Sequence, residues 1–232
     1  MELALLLLGV AVIAGALSMS DVADDPDPDP TPDPDPDPNA PSTTYSDDLF
    51  QTIPAVNQTA GNDTVFGDGT DEAYFMGDGD DDVDGGAGDD TLDGGSGSDF
   101  IFGGDGDDVL SGYEDGNVDG NFTEADQNDY DYIEGGAGDD TIILGSFDEA
   151  YGEAGADTFV VGTWTSDNNA VIFDWEEGQD QLVIVVPTTY TGAGAVTVDP
   201  GGFVRLDGVV LVRASGLVDL SAVTVQSQTN FV

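Results

Sequence analysis

An acidic side chain returns at nine-residue intervals through the middle of this chain, at Asp63, Glu72, Asp81, Asp90, Asp99 and Asp108. The pattern resumes at Asp131 and Asp140 after an interruption, and at Asp157 after a slip of one residue. Carboxylate and carbonyl oxygens are hard donors, and a site built from them selects Ca2+ or Mg2+ over the softer transition metals. The composition calls for such a cation. Among 232 residues, 49 Asp and Glu stand against two basic side chains, Arg205 and Arg213, for a formal net charge of -47. Self-repulsion on that scale opposes a compact state. Yet 39% of the residues are hydrophobic, many of them β-branched or aromatic, which separates the chain from an acidic disordered tail.

The absences exclude whole classes of chemistry. There is no His, Cys or Lys, so a Ser-His-Asp or Cys-His arrangement, an HExxH zinc site, a P-loop lysine and a Schiff-base lysine are all ruled out. Paired carboxylates of the glycosidase kind remain, but with so many Asp and Glu some pair meets any distance criterion, so their abundance argues for no hydrolase. No enzyme is expected. Nor is a nucleic-acid partner, because two arginines cannot neutralise a run of phosphates. Without cysteine no disulfide marks the compartment, and metal sites can take the place of disulfides in an exported chain.

The elements that must position the aspartates emerge when the chain is written in blocks of nine from Gln58: QTAGNDTVF, GDGTDEAYF, MGDGDDDVD, GGAGDDTLD, GGSGSDFIF and GGDGDDVLS. DQNDYDYIE from Asp126 and GGAGDDTII from Gly135 resume the register, and GEAGADTFV follows from Gly152. Each block divides into a glycine-rich turn and a short strand with an apolar centre: Val65, Tyr74, Val83, Leu92, Ile101, Leu110, Ile133, Ile142 and Phe159. Glycine permits the backbone angles such turns need. A strand this short is unstable alone, so successive turns must stack into a solenoid that buries the apolar column. Stacking also brings the sixth-position carboxylates into register, where like charges repel unless a cation lies between them.

These blocks resemble the hemolysin-type calcium-binding nonapeptides of the RTX family, GGxGxDxUx with U a large apolar residue. The best matches begin at Gly85, Gly94, Gly103 and Gly135. The resemblance implies an all-β parallel β-roll in which two nonapeptides make one coil. It also implies several Ca2+ ions per chain, each between turns on one edge, held by loop carbonyls and the sixth-position Asp. The metal-site residues it implies in the repeats are Asp63, Asp81, Gly85, Gly86, Gly88, Asp90, Gly94, Gly95, Gly97, Asp99, Gly103, Gly104, Gly106, Asp108, Asp131, Gly135, Gly136, Gly138, Asp140 and Asp157. Thr70 and Glu72 depart from the pattern, and a weak or empty site is expected there.

Around the roll, assigned to residues 58–161, lie other segments. An insertion at 112–126 contains DGNVDGNFTEAD, which places Asp115, Asn117, Asp119, Asn121 and Asp126 at the oxygen-ligand spacing of a calcium loop, with Gly120 at the turn. An Asx-turn-rich insertion that binds nothing is the alternative. Residues 1–20 hold an apolar run, Leu3 to Met19, that reads as a signal peptide or as a membrane anchor. Residues 21–57 contain a nearly pure Asp-Pro alternation expected to form a disordered, extended spacer. Residues 162–232 read as a β-rich C-terminal cap, with an Asp207-Gly208 hairpin between FVRL and VVLVRA. AVIFDWEEGQDQLVI resembles the segment that follows RTX repeats before a type I secretion signal.

The functional expectation is a secreted or surface-tethered calcium-binding protein that folds on meeting extracellular Ca2+. The alternative is an adhesin or polysaccharide-binding module on a calcium-stabilised scaffold, with a cell-surface partner and Tyr113, Tyr130, Trp164 and Trp175 as contacts, although these aromatics read better as core or cap residues.

Overall fold

In the computed structural model, residues 55–57, 60–113, 130–166, 169–216 and 218–227 are described. All belong to the unit Pro41–Val232. The N-terminal apolar run, the Asp-Pro spacer, the loop from Asp115 to Asp126 and the last residues lie outside them.

The nine-residue period becomes strands that alternate between two sheets. One set is β1 (Ala55–Asn57), β3 (Ala73–Phe75), β5 (Thr91–Asp93), β7 (Val109–Ser111), β9 (Thr141–Ile143) and β11 (Thr158–Gly162). The interleaved set is β2 (Thr64–Phe66), β4 (Asp82–Ala87), β6 (Phe100–Asp105), β8 (Tyr132–Ala137) and β10 (Glu149–Ala154). Every pairing within each set is parallel. Two blocks therefore complete one turn of the solenoid, and two parallel sheets face each other, as expected of a parallel β-roll. The interruption leaves the stack intact, since β6 pairs with β8 in register, Phe100 beside Tyr132 and Ile101 beside Ile133.

Parallel pairing continues beyond the last nonapeptide. β13 (Gln181–Val186) and β17 (Val223–Ser227) extend the first sheet, and β12 (Ala170–Ile172) and β16 (Val209–Ala214) extend the second. Among the described strands only β15 (Phe203–Leu206) is reversed, running antiparallel to both β14 (Val196–Val198) and β16 and closing the second sheet's end as a meander. The expected hairpin is there: Leu206 pairs with Val209, and Asp207 and Gly208 take φ of 50° and 89°, the two left-handed residues a tight two-residue turn requires.

The core is the apolar column. Val83, Ile101 and Ile133 point inward from one sheet and Leu92, Leu110, Ile142 and Phe159 from the other, all fully buried. Val65 and Tyr74, at the open first coil, are only partly covered. At the far end Trp175 packs over Phe159, ring centroids 6.1 Å apart. A second apolar cluster of Tyr113, Ile143, Val160, Val183 and Val185 lies apart from this core. Trp164 packs on it, 5.0 Å from the Tyr113 ring, and donates its indole N–H to the Leu144 carbonyl at 2.8 Å. Tyr113 and Trp175 are thus buried, and they present no surface to a glycan. Each repeat strand contributes one side chain to this apolar column, so truncation should be costly. Ile133→Ala is expected to lower the unfolding free energy of the calcium-loaded chain by about 3 kcal/mol, read from denaturant midpoints at constant slope.

Candidate metal centre

Stacking converts the repeating aspartates into two ladders, one on each turn edge. On one edge the sixth-position residues are Asp63, Asp81, Asp99 and Asp131, and on the other Glu72, Asp90, Asp108, Asp140 and Asp157. Each aspartate Oδ1 accepts the backbone N–H of the sixth-position residue one coil earlier. Asp81 accepts from Asp63, Asp90 from Glu72, Asp99 from Asp81 and Asp108 from Asp90, each at 2.7 Å. Across the interruption Asp131 accepts from Asp99 and Asp140 from Asp108, each at 2.8 Å, and Asp157 accepts from Asp140 at 3.1 Å. One oxygen per carboxylate is therefore used to hold the coils together.

The other oxygen is a different matter. Oδ2 of Asp81, Asp90, Asp108 and Asp140 is buried without a hydrogen-bond partner. Such a group costs several kcal/mol unless a proton or a cation meets it. Burial pushes the carboxyls of Asp90, Asp108 and Asp157 up to about 6 and that of Asp140 to about 7, with neighbouring carboxylates adding to the shift. Burial raises Asp81 and Asp180 as well.

The glycines make this placement possible. A Cβ on Gly85, Gly103 or Gly135 would overlap Oδ2 of Asp90, Asp108 or Asp140 respectively, and Gly94 stands in the same relation to Asp99. Gly86, Gly104 and Gly136 stack with φ of 96°, 110° and 110°, and Gly88, Gly106 and Gly138 with φ of 128°, 149° and 148°. Gly95 and Gly97, at 83° and 130°, play the same part on the other edge. Gly86, Gly104 and Gly136 also line an open cavity of about 420 Å³, together with Phe102, Glu134 and Glu153.

Among the described residues no group of three or more acidic side chains converges as a metal cage. The carboxylates are spaced singly, so backbone carbonyls would have to complete any coordination shell. An all-oxygen, anionic donor set with buried unsatisfied carboxylate oxygens and glycine-cleared space fits Ca2+. Glu72 differs, because its longer side chain accepts a hydrogen bond from the Thr70 hydroxyl at 2.8 Å, within its own turn.

Three features of the site escape the nonapeptide pattern. Asp148 and Asp180 extend the ladders, accepting from the N–H of Asp131 and Asp157, each at 3.2 Å. In both, the second oxygen is held by the residue's own turn, from Gly145 N–H and Glu176 N–H at 2.6 Å, so the protein itself closes each ladder's end. Asp174 likewise caps Gly152 and Glu153, accepting their N–H groups at 3.0 and 2.8 Å. The third feature is a ladder of opposite sense at the fifth position. There Asn62, Asp71, Asp80, Asp89, Asp107 and Asp139 accept from the fifth-position N–H one coil later, at 2.8 to 3.2 Å. Its signal was present as a column of short polar residues.

Fold and ladders together define a stacked-turn protein whose edges offer oxygen donors to cations. The model of the RTX calcium-binding nonapeptide repeat matches in four copies, over residues 75–110 and 127–148, and these two stretches are similar to that repeat. No match was found among curated proteins. Among the described residues, no helix is long and apolar enough to cross a membrane.

Proposed function

We propose that this chain binds several Ca2+ ions along the two sixth-position ladders, with Asp81, Asp90, Asp99, Asp108, Asp131, Asp140 and Asp157 as carboxylate ligands and the turn carbonyls around the repeat glycines completing each shell. Asp63 joins them at the first coil, and the loop from Asp115 to Asp126 supplies a separate ion. Binding energy is then folding energy, and the chain works as a secreted or surface-tethered protein that orders on reaching extracellular calcium. The observation that supports this most directly is the buried, partnerless Oδ2 of Asp81, Asp90, Asp108 and Asp140, in a chain of net charge -47.

The test is a calorimetric calcium titration of the calcium-stripped full chain, with circular dichroism followed in parallel. Several ions per chain and a cooperative rise in β-signal are expected. A single weak site, or none, would sink the proposal and reduce the ladders to hydrogen-bonding devices.

A further inference from the structure

The outer face of the second sheet carries an arrangement that calcium binding leaves unexplained. Alternate residues of its strands point away from the core and form rows across the sheet. One row runs Arg213, Val171, Glu149, Tyr132, Phe100, Asp82. The next, two residues on, runs Tyr151, Glu134, Phe102, Asp84, Phe66, with Phe173 stacked on Tyr151 at 5.0 Å and 9°. Phe102 and Tyr132 lie 6.1 Å apart, and Tyr132 and Tyr151 5.5 Å, so the rings form one continuous stripe. Much of it faces solvent, with Phe100 51% and Phe173 39% exposed, and Phe66, beyond Asp84 in the same row, is 71% exposed. Exposed apolar stripes of this kind mark interaction surfaces.

The charges on the face are polarised along the roll. Both basic residues of the chain sit at one end, Arg205 on β15 and Arg213 on β16, each over the Phe203 ring. Arg205 is paired with Asp199 at 2.7 Å. Arg213 is exposed and, among the described residues, makes no ion pair with a carboxylate. At the other end Asp82 and Asp84 stand on β4.

We propose that this face docks a second copy of the chain, related by a two-fold axis parallel to the strands and passing between β8 and β10. An isologous contact must be self-complementary, and the rows meet that demand. With strands about 4.8 Å apart, β4 and β16 both lie about 12 Å from that axis. Arg213 of one copy then faces Asp82 of the other, Phe100 faces Val171, Phe102 faces Phe173, and Tyr132 faces Glu149. Two ion pairs flank a central layer in which rings alternate with Glu149 and Glu134, and no carboxylate in these rows is set opposite a carboxylate.

The experiment is sedimentation of the full chain in saturating Ca2+, with circular dichroism on the same samples to separate a folded monomer from a chain that has not folded. The wild type should show twice the monomer mass. Arg213→Asp and Asp82→Arg should each weaken dimerisation at least about tenfold, and the double variant should restore it, because the pair is regenerated with its signs exchanged. A folded wild type that stays monomeric, or a dimer indifferent to both charge reversals, overturns the proposal.

Discussion

In excess chelator at pH 7.5 the chain should lose its β-signal, and on acidification to pH 5, still without calcium, it should recover a substantial part of it. The sign follows from the buried ladder. Asp90, Asp108 and Asp157 are raised from 3.8 to about 6 and Asp140 to about 7, so the folded chain holds protons more tightly than the unfolded one. The stability they contribute is fully present below the unfolded value and is lost as pH rises through 6 to 7. Calcium reverses the slope, because a cation takes the place of the proton and must displace it. Affinity for calcium should therefore fall at least about tenfold between pH 7.5 and 5. Asp140→Asn separates the two roles. It keeps an acceptor for the Asp108 N–H, now at 2.8 Å, but removes the charge. At pH 7.5 it should stabilise the calcium-free fold and weaken the calcium-bound one. Equal pH slopes with and without calcium would show that the buried oxygens are not where the ions act.

Gly104→Ala should disrupt the roll far more than Gly61→Ala, although both glycines have positive φ. Gly104, at 110°, lies between Gly86 and Gly136, and its added Cβ would run into the Gly86 carbonyl and stand 3.2 Å from the Gly86 Cα. That obstacle is backbone held by parallel pairing on both sides, so the coils must separate. Gly61, at 121°, has nothing within 4 Å of a Cβ. There only the backbone angle is strained, at roughly 1 kcal/mol, against about 4 kcal/mol or more for Gly104→Ala. Denaturant unfolding in saturating calcium would compare them, and equal losses would mean that the glycines serve turn conformation alone and not coil stacking.

The nine-residue period made the core column and the sixth-position carboxylates legible before any coordinates. One residue type recurring at one phase of a short repeat can only be satisfied by stacking, and stacking dictates which atoms meet. The Asp207-Gly208 hairpin was legible for a similar reason, since the turn's chemistry is local. What the period could not reach is where the repeat stops. Asp148 sits in a shortened block, and Asp180 follows an irregular connection. Both became ladder members only because β10 and β13 continue the parallel pairing. Tyr113 and Trp175 turn inward, in keeping with the reading of these aromatics as core or cap residues. The aspartate spacing by itself determined that like carboxylates stack in register and raised the expectation of cations between them along one edge, whereas the structure splits them into two ladders. Only the tertiary structure decided that each carboxylate gives one oxygen to the neighbouring coil and buries the other, because that division depends on the distance between coils and not on the order of residues within one.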